Sequence, residues 1–138
     1  MKLLGFNFTK INVEKNKERV EGLKISTKID ISDIKEAKAS ILKTKDEVLA
    51  IKFTYGLDYE PEIAKIDLEG NLLISLEPRK AREALKEWKD KKMPEDFKIP
   101  LFNVILRKSS LKALQLEEEM NLPIHMQLPS VRIGEKKE

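Results

Sequence analysis

The side chains best suited to nucleophilic or acid–base chemistry lie near the C-terminus. Ser109 and Ser110 could act as nucleophiles, and the single histidine, His125, could serve as their general base. However, both serines fall in the middle of a predicted helix, outside any Gly-x-Ser-x-Gly turn, and the histidine follows the end of that helix. We therefore interpret the serines as helix-surface or interface hydroxyls and the histidine as a structural side chain.

The other candidate for chemistry is the run of three carboxylates, EEE at 117–119, which could recruit a cation. Consecutive helical positions point about 100° apart, so these carboxylates do not converge and are typical of a solvated helix face. The sequence has no cysteine, no phosphate-binding loop and no Gly-x-Gly-x-x-Gly turn. It therefore predicts no catalytic residue, no metal site and no cofactor, and favours a function other than enzymatic catalysis.

The charge balance argues against DNA as the ligand. Charged residues make up 37% of the chain, but 27 basic against 24 acidic residues leave a net charge of only +3. DNA-binding domains usually carry a stronger and more clustered excess. The outward positions of the predicted strands are polar and mostly lysine: Lys24, Lys28, Lys52, Thr54, Lys65 and Ser75. This face is either simply solvated, which we favour, or a contact for phosphate or RNA.

Alternating apolar residues before residue 78 predict four strands, over 3–14, 23–31, 47–59 and 63–76. The apolar residues of the first strand change parity around Thr9 and Lys10, which predicts a β-bulge. In the fourth strand the parity is the same on both sides of Gly70, which favours one kinked strand over a hairpin. The charged residues 33–46 are predicted to form a helical turn or an excursion.

Helical periodicity follows, with a short helix over 79–91 and a longer one over 100–120. The linker 93–100 separates them, Pro100 suits the first turn of the long helix, and Asn121 with Pro123 should end it. An extended tail, 122–133, and a frayed end, 134–138, complete the chain. The order of elements predicts a single α+β domain over 1–133, with an antiparallel sheet and both helices packed on one face.

The apolar residues of the long helix cover an arc of roughly 220°, where covering one sheet needs about 100°. We therefore expect self-association through this helix. The sequence has no apolar run long enough to cross a membrane and no leader-like N-terminus, so we expect a cytoplasmic protein.

Taken together, the order of these features resembles the SecB family of export chaperones over residues 4–128. The resemblance rests on the bent first strand, on the small-residue kink in the fourth strand and on four segments: FTKINVE (8–14), PLFNVILR (100–107), SSLKAL (109–114) and NLPIHMQLP (121–129). It implies a four-stranded antiparallel sheet with two helices, assembled as a homotetramer that is a dimer of dimers. It also implies a chaperone that holds non-native polypeptides in apolar grooves without ATP, with protein export as one role.

By position, the resemblance implies a peptide groove formed by Val20, Trp88, Met93, Phe97 and Leu101. It implies a subunit interface formed by Phe6, Phe8, Phe102, Ile105, Ser109, Ala113 and Leu116. From its residue type alone, Trp88 could equally pack in the core. Family members dock the motor SecA on an acidic sheet face, and the lysines expected on this face argue against that partner. Two other functions stay open: a SecB-fold protein dedicated to one unstable partner, and a nucleic-acid or ribosome-associated module.

Overall fold

Within the residues that the structure describes, the secondary structure consists of one antiparallel sheet and two helices. The computed structural model describes residues 1–18, 21–37, 45–131 and 133–134. Its elements are β1 (Lys2–Lys15), β2 (Lys24–Ala37), β3 (Glu47–Glu60), β4 (Ala64–Leu76), α1 (Pro78–Trp88) and α2 (Glu95–Glu119). The strand order is β1-β4-β3-β2, and each neighbouring pair is antiparallel. The predicted α+β architecture is thereby confirmed.

The two central strands, β3 and β4, alternate between buried and more exposed positions along most of their length. This alternation turns the apolar side chains of both strands toward the helices and the intervening, mostly polar side chains toward solvent. On the edge strand β1, the register with β4 shifts between Phe8 and Lys10, where the change of parity predicts a bulge, and also between Leu3 and Gly5. The bulge keeps Phe6 and Phe8 on the helix-facing side together with Val13 further along.

Strand β4 runs through Gly70 without interruption, as predicted. Gly70 pairs with Phe8 on one side and with Phe53 on the other. A Cβ atom at this position would lie 2.5 Å from the Asn7 carbonyl oxygen and 2.7 Å from the Phe53 ring. The close approach of neighbouring groups therefore explains why a glycine occurs inside a central strand.

Strand β2 extends further than predicted. Residues 33–37 belong to the strand, so the prediction of a helical turn or excursion there was wrong, while residues 38–44 lie outside the described part. The register with β3 shifts between Ile31 and Asp33. This irregularity allows Ile31 and Ile34, three residues apart, both to be buried, and it breaks the alternation from which the strand was predicted.

The helices follow the sheet in the predicted order. Helix α1 begins at Pro78 and ends at Trp88. Helix α2 begins at Glu95, so the prediction of a linker up to Pro100 was wrong and this proline lies inside the helix. Two acidic residues in the first turn favour the earlier start through the helix dipole. The C-terminal end is as predicted, because Asn121 adopts a left-handed conformation with φ of 54°.

One stripe of α2 faces the sheet at intervals of four residues: Phe97, Leu101, Ile105, Ser109, Ala113 and Glu117. The first half of the stripe joins one core cluster around Ile51 and Phe53, and the second half joins another around Tyr55 and Tyr59. The apolar arc of the helix also includes residues outside this stripe. Leu106 on the remaining surface is therefore exposed.

Candidate functional site

The connection between the two helices places partly exposed apolar side chains at the surface. Trp88 ends α1, Met93 lies in the connection that follows, and Phe97 lies in the first turn of α2. Phe97 belongs to the first core cluster, and the other two pack against that cluster while keeping part of their surface in solvent. We call these three residues the connector surface.

The predicted groove residues differ in how far a ligand could reach them. Trp88 and Met93 are partly exposed, Phe97 is only 7% exposed, and Leu101 is fully buried on the side of α2 that packs in the core. Val20 lies outside the described residues. The chain therefore brings four of the five predicted residues into one neighbourhood, but only the first two offer substantial surface to a ligand.

Two lysines lie over aromatic rings of this region. Lys91 Nζ is 4.6 Å from the centre of the Trp88 ring, and Lys98 Nζ is 5.6 Å from the centre of the Phe102 ring. Both contacts are cation–π interactions, and both aromatic residues remain partly exposed. A ligand that displaces a lysine from either ring therefore gains apolar contact at the cost of a weak surface interaction.

The residues predicted to form the subunit interface fall into two groups. Four are covered by the chain's own sheet, namely Ile105, Ser109, Ala113 and Leu116. Three are partly exposed at the side of the first cluster, namely Phe6, Phe8 and Phe102. A contact between copies through α2 would therefore use another side of the helix, where Leu106 and Leu111 are 39% and 58% exposed.

The sheet face opposite the helices is mixed in sign rather than lysine-rich. Lys28 pairs with Asp58 at 3.8 Å, and Lys65 lies 3.8 Å from Glu14 and 3.7 Å from Asp67. An open concavity on this face is lined by both signs of charge: Lys10, Lys28, Asp30, Asp58, Lys65, Asp67 and Glu69. The sixth residue predicted there, Ser75, is only 6% exposed. The prediction of a lysine-rich face was therefore wrong, and the described residues of this face are neither strongly basic nor strongly acidic.

A buried polar network, which the sequence analysis missed, joins the end of α2 to the tail. Glu117 is 0% exposed and accepts a hydrogen bond from the Tyr59 hydroxyl. Its other oxygen lies 2.8 Å from His125 Nδ1, and this imidazole is 7% exposed. Nε2 of the same ring lies 3.4 Å from the Tyr55 hydroxyl, which is also 3.4 Å from Ser110 Oγ. The network thus fastens the segment after α2 to the sheet.

Both tyrosines remain protonated well beyond neutral pH. Burial, and after it the hydrogen bond to Glu117, raise the pKa of Tyr59, and burial raises the pKa of Tyr55. Each phenol can therefore donate a proton to an acceptor within the network. The serine hydroxyl meets Tyr55 rather than the imidazole, so His125 is not placed to activate Ser110 as a nucleophile.

Neither metal ligation nor membrane insertion is indicated by the described ranges. Among these residues no group of three or more His, Cys, Asp or Glu side chains converges as metal ligands do. No helix in the same ranges is long and apolar enough to cross a membrane. Ser109 Oγ is buried and has no hydrogen-bond partner within the described part of the chain.

The fold is similar to that of a solved chaperone structure. No protein-family model and no curated protein matches the sequence. Among solved structures, the fold is similar to the SecB-like chaperone Rv1957 of Mycobacterium tuberculosis, determined in complex with a ChAD peptide from the HigA1 antitoxin. The TM-score is 0.51 at 12% sequence identity, and the match covers 95% of this chain and 91% of the other. The chain therefore has a SecB-like fold.

Proposed function

We propose that this protein is an ATP-independent chaperone that holds non-native polypeptides through apolar surface, as SecB-like proteins do. The observation that carries the proposal is the connector surface, whose Trp88 and Met93 stay partly exposed on a SecB-like fold. The chaperone with that fold binds a peptide in its solved complex, which supports a polypeptide as the ligand here.

The chemistry of the connector surface suits many different client sequences. A tryptophan offers about 150–250 Å² of surface, and apolar burial contributes about 25 cal/mol per Å². No more than about a third of the Trp88 surface is in solvent, so its burial by a client contributes about 1–2 kcal/mol, or roughly five- to thirty-fold in affinity. Methionine is flexible and adapts its shape to different partners.

The test is suppression of aggregation of a chemically denatured client. The double variant Trp88→Ala and Met93→Ala should lose most of the protection. The matched control is Leu4→Ser with Leu73→Ser, because these leucines are 36% and 40% exposed on β1 and β4. The control should protect as well as the wild type. Circular dichroism and light scattering must show that both variants keep their fold and mass, and a folded double variant with full protection would contradict the proposal.

Salt distinguishes this function from nucleic-acid binding. Apolar association persists when charges are screened, so protection should hardly change between 0.1 M and 1 M salt, where the Debye length falls from about 10 Å to about 3 Å. Phosphate binding would weaken steeply over the same range. It would also be abolished by Lys28→Glu with Lys52→Glu. The acidic residues among these lysines favour the polypeptide function.

A second candidate is a SecB-fold protein that serves one dedicated partner. The observation that favours it is the peptide in the solved relative, which comes from an antitoxin. A panel of unrelated denatured clients separates the two functions: a general chaperone protects most of them, whereas a dedicated one protects a single partner.

The exposed side of α2, with Leu106 and Leu111, supports the further proposal that copies of the chain assemble.

A further inference from the structure

Positive charge is concentrated in α1 and the turn that follows it. Residues 79–92 contain seven basic and three acidic side chains, a net charge of +4, whereas the whole chain carries only +3. Trp88 lies within this stretch and Met93 follows it directly, so the charge adjoins the connector surface. A local excess of one sign attracts partners of the opposite sign.

The basic residues of α1 form one continuous row. Spacings of three, four and three residues place them on one side of the helix, and all four are exposed: Arg79, Arg82, Lys86 and Lys89. We call this row the basic ridge. Ten residues of helix span about 15 Å. Within the described part of the chain, no carboxylate forms an ion pair with any member of the ridge.

The basic ridge costs stability within the chain itself. Like charges three and four residues apart on a helix repel each other, as at Arg82 and Lys86. In addition, the first turn of α1 contains Arg79 and Lys80 and no acidic residue, which opposes the helix dipole. Negative charge brought by a partner would reduce both penalties.

The turn after α1 places a further lysine on the connector surface. Lys91 N donates to Trp88 O at 2.8 Å and Lys92 N donates to Glu87 O at 3.1 Å, which closes the end of the helix. Lys91 has φ of 58°, a left-handed conformation for which glycine is the usual residue. Its ammonium lies 4.6 Å from the centre of the Trp88 ring. A lysine at this strained position therefore sets positive charge beside the side chain proposed to bind clients.

We propose that the connector surface and the basic ridge together select polypeptide segments in which acidic residues flank an apolar core. The proposal rests on the proposed chaperone function and names the class of client. The apolar core packs on Trp88, and the flanking carboxylates meet Lys91 and the basic ridge. Lys91 is thus a specificity-determining residue of the connector surface.

A polypeptide fits this surface better than a nucleic acid or a membrane. Glu83 and Glu87 lie beside the ridge, and a peptide can place uncharged residues opposite them, whereas a phosphate backbone carries a charge at every nucleotide. Basic helices that bind membranes insert their apolar face. The apolar face of α1 is occupied, because Ala81 and Ala84 are buried in the core.

The test compares three fluorescent peptides that share one apolar core and differ in four flanking residues, which are all Glu, all Ser or all Lys. At 0.1 M salt the wild type should bind the Glu peptide at least about five-fold more tightly than the Lys peptide, since each exposed ion pair changes an affinity by about 1.4- to five-fold. At 1 M salt this preference should disappear, while the affinity for the Ser peptide should stay. Equal affinities at low salt would overturn the proposal. Tighter binding of a single-stranded RNA than of the Glu peptide would also overturn it.

Two double variants locate the preference. Arg82→Gln with Lys86→Gln should remove most of it, because two charges of the basic ridge are lost. The matched control, Lys24→Gln with Lys52→Gln, removes two exposed charges from β2 and β3 and should keep it. An equal loss in both variants would show that only net charge matters and would refute selection by the ridge.

Replacing Lys91 by glycine separates its role in selection from a role in folding. Glycine adopts φ of 58° readily, so Lys91→Gly should keep the melting temperature or raise it by a few degrees. The same variant should reduce the preference for the Glu peptide at least about two-fold. A lower melting temperature would assign Lys91 to the fold, and an unchanged preference would exclude it from selection.

The outcomes separate this inference from the function on which it rests. If the wild type binds all three peptides equally and protects denatured clients, the chaperone function stands and the selection is refuted. If the wild type binds none of the peptides and protects no client, both proposals fail.

Discussion

Replacing Tyr59 by phenylalanine tests the buried network at its most enclosed contact. The tyrosine hydroxyl donates to Glu117, and the two residues are 1% and 0% exposed. Phenylalanine keeps the ring but leaves a carboxylate oxygen without its donor. Hydrogen bonds to charged groups contribute about 1.5–3 kcal/mol, and water cannot enter to replace this one. We therefore expect Tyr59→Phe to lower the free energy of unfolding by about 2–3 kcal/mol.

The matched control is Tyr55→Phe in the same strand. Its ring is as deeply buried, at 1% exposure, but its hydroxyl lies 3.4 Å from both Ser110 Oγ and His125 Nε2. Contacts of that length are weak, since hydroxyl hydrogen bonds are usually about 2.7–2.8 Å long. The control should lose less than about 1 kcal/mol. Because ring burial is the same, the difference between the two variants reports the bond to Glu117.

Urea unfolding followed by the fluorescence of the single tryptophan, Trp88, measures both losses. The comparison requires equal protein concentrations and equal m-values, so that a change in midpoint reflects a change in stability. If Tyr59→Phe loses no more than Tyr55→Phe, the buried carboxylate does not depend on the Tyr59 hydroxyl. Glu117 would then be held mainly by its contact with His125 rather than by the Tyr59 hydroxyl.

Three further predictions concern pH, packing and assembly. Because burial raises the pKa of Tyr55 and Tyr59 above the ordinary value near 10, the folded chain keeps protons there that the unfolded chain releases. The free energy of unfolding should therefore fall as pH rises above about 10, and phenolate absorbance at 295 nm should appear only with unfolding. Gly70→Ala should cost about 1–3 kcal/mol in urea unfolding, whereas Gly5→Ala, with open space around it, should be nearly neutral. Light scattering at micromolar concentration should give a mass above the 16.0 kDa of one chain, and Leu111→Glu should lower it without unfolding the chain.

The sequence predicted those features of the fold whose signals are local. The change of parity near Thr9 gives the bulge in β1, the unchanged parity around Gly70 gives a continuous β4, and Asn121 before a proline gives the end of α2. Each of these signals lies within a few residues of the feature it predicts. Features of the fold that depend on such local patterns can therefore be predicted directly from the sequence.

Two boundaries were wrong because a local signal pointed the other way. Pro100 is typical of a helix start, yet the acidic turn at Glu95 begins α2 earlier and the helix continues through the proline. In β2, the register shift after Ile31 moves the next buried residue to Ile34, so strict alternation stops at a point where the strand does not. A bulge keeps the next apolar side chain buried, but it interrupts the two-residue period from which a strand is predicted.

The buried network was missed because its members are far apart in sequence and look solvated. Glu117 belongs to a run of three carboxylates, and the geometry of a helix already implies that only one of the three can face the sheet. Counting by fours from Phe97 along α2 reaches Glu117 on the buried stripe. That count is the signal by which the sequence could have shown which carboxylate is enclosed. Its partners on β3 and in the tail depend on tertiary packing and have no comparable signal.

The placement of a carboxylate at this end of α2 has a desolvation cost that its contacts with Tyr59 and His125 offset. Burying Glu117 removes it from water, and an apolar residue on the same stripe would avoid that penalty. An apolar residue, however, would give His125 nothing to bond, and the tail could dock only by burying Ile124, Met126 and Leu128 instead. The polar anchor holds the tail in one position while its apolar side chains stay available. The carboxylate at this end of α2 therefore fixes the path of the segment that follows the helix.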